Sequence, residues 1–327
     1  MIDALFRPSR LRACALGTLG GLVAMAAVLP HAAADTNQSP ASELLAQARA
    51  QLSSTGFEGT VIVEWATSDG VERNQVEIHG VGGTIEVRDE QSLARTAITI
   101  DAESSFDVVP DPGEKYDLTL RSGPSILDRT TTLIEIRLPD DDRLLERIFV
   151  DDASGIMLRR ERFAPDGSIV RAVSFVEFSL SDDPIDVPPI EPDESDPVGR
   201  LEGIYRDPAS AGDRFELLSR TIDVEGNAHL LYGDGLLTVS VFEEPGALDW
   251  SAVPPGGVAT RVDGVRALRY ERPIGTTYLW ERGGVVYTAV SDAPESQILG
   301  VAESVSTGRE SNVVARLART SLDVFAL

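Results

Sequence analysis

Tyr232-Gly233-Asp234-Gly235-Leu236-Leu237-Thr238-Val239-Ser240-Val241-Phe242-Glu243-Glu244-Pro245 joins a reversal of the chain to a strand. Gly233 and Gly235 tolerate positive φ without steric cost, so Gly-Asp-Gly reads as a tight turn. Beyond it Leu237, Val239 and Val241 fall on one face, with Leu236, Thr238, Ser240 and Phe242 on the other. That is the alternation of a half-buried strand.

The same two signals recur on both sides of this stretch. Downstream and just upstream, strands are expected at 214–222, 228–232, 258–262, 265–272, 276–282 and 284–290, with Arg282-Gly283-Gly284 as a hairpin turn. The series closes with a helix in which Ile298, Val301, Ala302 and Val305 form one stripe, and Asp292 with Glu295 offers a capping box. Nearer the N-terminus the cleanest strand is Phe57 to Trp65, with Phe57, Gly59, Val61, Val63 and Trp65 pointing one way. Further strands are expected around Val76/Ile78, Ile85/Val87, Ile98/Ile100, Leu118/Leu120, Thr132 to Leu138 and Ile148/Val150. Turns at Asp151–Gly155 and Ala164–Gly167 flank strands at 156–163 and 169–180. A single helix precedes them all, with Ser39 as N-cap, Pro40 in its first turn, and Leu45, Ala48 and Leu52 on one face. Short connections between so many strands force antiparallel pairing. The fold class expected is α+β, mainly antiparallel β.

Composition sets the boundaries. Arg7, Arg10 and Arg12 precede an apolar run from Ala13 to Pro30, and Ala32-Ala33-Ala34 supplies a small-residue cleavage site. This is the grammar of a secretory signal peptide over 1–34, cut after Ala34, with a retained N-terminal membrane anchor as the alternative. Cys14 lies early in the apolar run, not just after it where a lipid-attachment cysteine belongs, so the mature chain would carry no thiol. The 327-residue chain carries −24. Without residues 1–34, which contribute Arg7, Arg10, Arg12 and Asp3, it carries −26. Such a surface repels phosphate backbones and argues against nucleic-acid binding. Five prolines interleaved with seven carboxylates between Ser181 and Gly199 read as a stiff acidic linker. The expected organisation is a domain at 35–180, a linker at 181–203, a domain at 204–307 and a C-terminal tail at 308–327, in which Val314, Leu317 and Ala318 align as a short helix.

Three stretches, in order, carry a resemblance to a known family. They are Arg147 to Leu180 with its two turns, Tyr232 to Pro245, and Val286-Tyr287-Thr288-Ala289-Val290 leading to Ile298-Leu299-Gly300-Val301-Ala302-Glu303-Ser304-Val305. Together they resemble the RseB/MucB family of extracytoplasmic sigma-factor regulators. The resemblance implies an N-terminal domain like the lipoprotein carrier LolA, an incomplete β-barrel curled around helices, and a smaller α+β C-terminal domain. It also implies a function. Such a protein binds the outer segment of a membrane anti-sigma factor, shields it from proteolysis, and releases it on a lipid or lipoprotein signal. On this reading Phe57, Val61, Val63 and Trp65 are candidates for a lipid cavity, and an ordinary filled core face is the competing interpretation. Tyr232, Gly233, Asp234, Gly235 and Leu236 are candidates for the partner surface, the glycines having a purely structural role as the alternative. A homo-oligomer stays open. The acidic surface disfavours an anionic ligand unless Arg159, Arg160 and Arg162 offset it.

Enzymatic signals are weak by comparison. Beyond the signal segment only His79 and His229 remain, no serine lies in a Gly-x-Ser-x-Gly elbow, and no histidine or acid spacing suits a metal. His79 reads as a strand end, His229 as a strand residue, and Asp140-Asp141-Asp142 as a solvated turn. No catalytic residue, metal or cofactor is expected. The alternative function is a lipid or lipoprotein carrier that uses the same cavity for transport.

Overall fold

The computed structural model describes residues 39–99, 110–181 and 208–307, apart from 68, 83, 90–93, 213, 224–225 and 273–274. The signal segment, Ile100, the acidic linker beyond Ser181 and the tail from 308 lie outside the described residues. The chain divides into two compact units, Met1–Ile190 and Glu191–Leu327.

The first unit begins with α1 (Pro40–Ser54), whose N-cap Ser39 accepts a hydrogen bond from the Ser42 N–H at 3.2 Å. Leu45, Ala48 and Leu52 are buried on its inner side. The strands that follow are β1 (Phe57–Thr67), β2 (Gly70–Val81), β3 (Thr84–Asp89), β4 (Ala94–Thr99), β5 (Asp117–Ser122), β6 (Thr131–Arg137), β7 (Leu144–Asp151), β8 (Met157–Phe163) and β9 (Ile169–Leu180). Between β4 and β5 lies α2 (Pro112–Lys115), one turn capped by the Asp111 side chain, which the sequence reading did not foresee. The nine strands form one antiparallel sheet in the order β4-β3-β2-β1-β9-β8-β7-β6-β5. It consists of two meanders sewn together along β1 and β9. The sheet stays open, because β4 and β5 are its two edges. It must also curl, since α1 rests against both β2 and β5, six strand-to-strand steps apart in that order. A flat sheet would set those strands roughly 29 Å apart, beyond the width of one helix. An incomplete barrel around a helix is the result, as expected.

A bulge on the seam shapes the inner face. Thr60 pairs with Glu177 and Val61 with Phe175, so Val176 is left without a partner on β1. The extra residue lets Phe175 and Phe178, three positions apart, point to the same side. Gly59 sits beside this bulge because the Glu177 carbonyl oxygen lies only 2.1 Å from where a Cβ would stand.

The second unit holds β10 (Ser210–Ala211), β11 (Phe215–Ile222), β12 (Ala228–Gly233), β13 (Thr238–Pro245), β14 (Val258–Val262), β15 (Val265–Arg272), β16 (Gly275–Arg282), β17 (Val285–Ser291) and α3 (Glu295–Thr307). The sheet order is β10-β11-β12-β13-β17-β16-β15-β14, antiparallel throughout. Helix α3 covers one face and buries Ile298, Val301, Ala302 and Val305 beside Tyr232, Val239, Val241, Trp280 and Tyr287. Trp280 stacks on Tyr287 and donates its indole N–H to Ser306 Oγ at 3.0 Å. On the opposite face Leu268, Tyr270 and Leu279 are covered by Leu248, Trp250 and Val253 from the β13–β14 connection.

Two local expectations need correction here. Glu295 does not close a capping box: its carboxylate accepts from the Tyr278 hydroxyl at 2.7 Å and from Arg269 at 3.0 Å, tying the helix start to the sheet. His79 does not end a strand but lies inside β2, opposite Glu58 on β1 and Glu86 on β3.

Candidate functional site

The four cavity candidates Phe57, Val61, Val63 and Trp65 all lie on the inner face of the first unit and are buried there. They form one hydrophobic cluster with Leu52 of α1, Val76 and Ile78 of β2, Ile85 and Val87 of β3, Leu158 of β8, Phe175 of β9, and Ile156. Ile126, Val173 and Phe178 pack against its margin. At one end three rings meet: Phe175 and Phe178 are edge to face with centroids 5.2 Å apart, and Phe57 stacks on Phe178 at 6.5 Å. Gly80 is needed opposite Phe57, whose ring would come within 2.5 Å of a Cβ. Ile126 belongs to the connection between β5 and β6, and its neighbour Arg129 lies over the Phe178 ring at 5.1 Å and bonds Asp151 at 2.9 Å. Burial pushes the Asp151 carboxyl up, but hydrogen bonds from Arg129 and Ser154 outweigh it and hold the group below its usual range.

Towards the other end the inner face turns polar. Cross-strand register sets Trp65 of β1, Arg171 of β9, Arg162 of β8 and Glu146 of β7 in one row. Glu146 is fully buried and accepts from Arg160 at 3.0 and 2.7 Å and from Arg162 at 2.8 Å. Arg159 points to the other face and is held by Glu161 at 2.8 Å. The arginine cluster expected to offset the acidic surface is therefore paired within the sheet, its three guanidiniums held by the carboxylates of Glu146 and Glu161. A buried charge must be paired, and on adjacent strands the partner comes from directly opposite. Sequence reasoning missed Glu146, Phe178 and Ile126; only the register and the bulge bring them to this face.

The turn in the second unit is buried as well. Its central acid Asp234 is fully buried, and its Oδ1 accepts from the backbone N–H of Leu236 at 3.0 Å and of Leu237 at 2.8 Å. Gly235 takes the positive φ of 94° that the motif promised. Gly233 does not: it ends β12 in register with Thr238, and its bare Cα makes room for Leu218, whose Cδ1 would lie 2.4 Å from a Cβ. Leu237 belongs to the turn, and β13 starts one residue later. Tyr232 to Leu236 thus lie inside the unit, where they set the geometry of the β12–β13 hairpin.

Two open grooves flank the first unit. One, of about 500 Å³, lies between α1 and the β7–β8 turn and is lined by Gln47, Gln51, Asp152 and Ser154. The other, of about 430 Å³, crosses the outer face, where Glu58, Glu77, His79 and Glu177 converge. Among the described residues no group of three or more His, Cys, Asp or Glu side chains is placed to hold a metal ion. His229 is stacked flat on Phe242, ring centroids 4.4 Å apart, and burial pushes its imidazole down to about 4.

An open antiparallel sheet curled around a helix, followed by a second antiparallel sheet backed by a helix, is a fold this chain shares with MucB. Neither a protein-family profile nor a curated protein matches the chain. Among solved structures it is similar to MucB in complex with MucA(peri), at 18% identity and a TM-score of 0.50, covering 81% of this chain and 97% of that one. The MucA/MucB complex of Pseudomonas aeruginosa is similar at 18% identity, covering 81% and 98%, with a TM-score of 0.46. A LolA superfamily protein of Nitrosomonas europaea is more distant, at 10% identity over 79% of this chain and 97% of that one, with a TM-score of 0.20.

Proposed function

We propose that this protein is an extracytoplasmic negative regulator of a sigma-factor pathway. It binds the outer segment of a membrane anti-sigma factor, shields that segment from proteolysis, and lets go when a lipid or lipoprotein signal occupies the inner face of the first unit. The observation that carries this reading is the two-unit fold, shared over 97% of the length of MucB in a structure where MucB is bound to MucA(peri). The signal-peptide pattern at residues 1–34 agrees with it, and among the described residues no helix is long and apolar enough to cross a membrane.

Release by a ligand needs two states with different affinities for it, and the partner must then oppose the ligand reciprocally. The inner cluster suits the ligand's part. Phe57, Val61, Val63 and Trp65 line its length, and among the described residues Ala50 and Leu52 of α1 and Ile126 of the β5–β6 connection pack on it. An acyl chain would enter by displacing those side chains. The partner surface is proposed on the second unit around the β12–β13 hairpin, where Tyr232 to Leu236 hold the shape that the partner meets. The apolar inner face also favours a second reading, a lipid or lipoprotein carrier. A pull-down from solubilised membranes separates the two: co-purification of an anti-sigma factor supports regulation, whereas lipid or lipoprotein alone supports the carrier.

A further inference from the structure

Trp65 is 6% exposed, yet its indole Nε1 is buried with no hydrogen-bond partner among the described residues. Buried donors are nearly always satisfied, and the other buried tryptophan follows that rule by bonding Ser306. The position of the orphan donor says what it lacks. From Phe57 to Trp65 the inner face of β1 runs for roughly 26 Å, eight residues at about 3.3 Å each. Its Phe57 end is aromatic, with Phe175 and Phe178 packed around the ring. Its Trp65 end lies in the row that also holds Arg171, Arg162 and Glu146. A molecule seated along β1 would have its tail among aromatic rings and its first polar atom beside the indole N–H. Trp is a donor only, so that atom must be an acceptor.

We infer that Trp65 donates a hydrogen bond to the carbonyl oxygen at the head of an acyl chain, an ester or amide, bound along the inner face of β1. This rests on the reading that a lipid occupies that face and adds the group by which it is recognised: the site selects acylated molecules over bare hydrocarbon. Arg162, held by Glu146, and Arg171 complete a polar collar behind the carbonyl.

The test compares the mature chain with Trp65→Phe, which keeps an aromatic ring and removes the donor. Displacement of a bound hydrophobic dye is followed with methyl dodecanoate and with tridecane, a hydrocarbon of similar length. The wild type should prefer the ester, and the ratio of ester to tridecane affinity should fall roughly two- to tenfold in Trp65→Phe, the worth of one net hydrogen bond. A second readout uses the wild type alone: of the indole N–H signals of the chain's three tryptophans, one should move downfield with the ester and stay put with tridecane. An equal ratio in wild type and Trp65→Phe, or an ester that leaves all three signals in place, overturns the role of Trp65 while leaving lipid binding intact. Failure of both ligands to displace the dye from the wild type overturns the lipid reading along with it.

Discussion

Glu146 is the most consequential single residue of the first unit. It is fully buried and accepts hydrogen bonds from two guanidiniums, those of Arg160 and Arg162, on the neighbouring strand. Removing one partner of such a group leaves buried charge behind, so Glu146→Ala should destabilise the unit by about 3–5 kcal/mol, read from the midpoint of urea unfolding. His229 makes a different prediction. The folded protein holds its imidazole near 4, whereas the unfolded chain titrates near 6.5, so the unfolded state binds the extra proton between those values. The stability that depends on neutral His229 is complete above pH 6.5 and is lost as pH falls towards 4, at up to about 1.4 kcal/mol per pH unit. Unfolding midpoints at pH 7 and pH 5 should therefore lie closer together in His229→Phe than in the wild type; an equal drop in both would contradict the assignment. Neither residue's role was legible in the sequence. Glu146 and Arg162 are sixteen residues apart with nothing to pair them until β7–β8 register is known, and His229 lacks any signal of the Phe242 ring that shields it.

Alternation carried most of the information about elements. Phe57 to Trp65, Thr132 to Leu138 and 258–262 appear as strands within a residue or two of where the period of two placed them, because side chains on a pleated strand have no other way to share one core. What alternation could not show is where it breaks. The Val176 bulge breaks it in β9, and Phe178 was invisible as an inner-face residue for that reason. Gly59→Ala probes this seam directly. Its methyl would collide with the Glu177 carbonyl, a backbone atom that cannot swing aside. A loss of about 3 kcal/mol or more is expected. Hydrogen exchange should find it in β1 and β9 while the amides of β13 and β17 keep their protection. The β12–β13 turn gives the matching test in the second unit. Asp234→Ala strands the Leu236 and Leu237 N–H groups in a buried site and should cost about 2–4 kcal/mol, with Asp234→Asn losing less because its amide oxygen can still accept.

At the scale of the molecule, two features of the sequence pointed to the plan: a helix followed by strands, repeated in mirrored order as strands followed by a helix, and an acidic proline-rich stretch between. The curl of the first sheet was not readable from periodicity, since it depends on α1 reaching both β2 and β5. The polar end of the inner face was hidden too, because it is assembled from four strands. These two features give the inner face of the first sheet an aromatic end and a polar end. A regulator of the kind proposed must couple that face to its grip on a partner. The most direct measurement is a competition with the mature protein immobilised and loaded with the extracytoplasmic segment of an anti-sigma factor from the same organism. Methyl dodecanoate is then titrated in and the retained segment quantified. The account predicts that the segment binds in the absence of the ester and is released as the ester saturates the first unit. Failure of the segment to bind, or binding that saturating ester leaves unchanged, would contradict it.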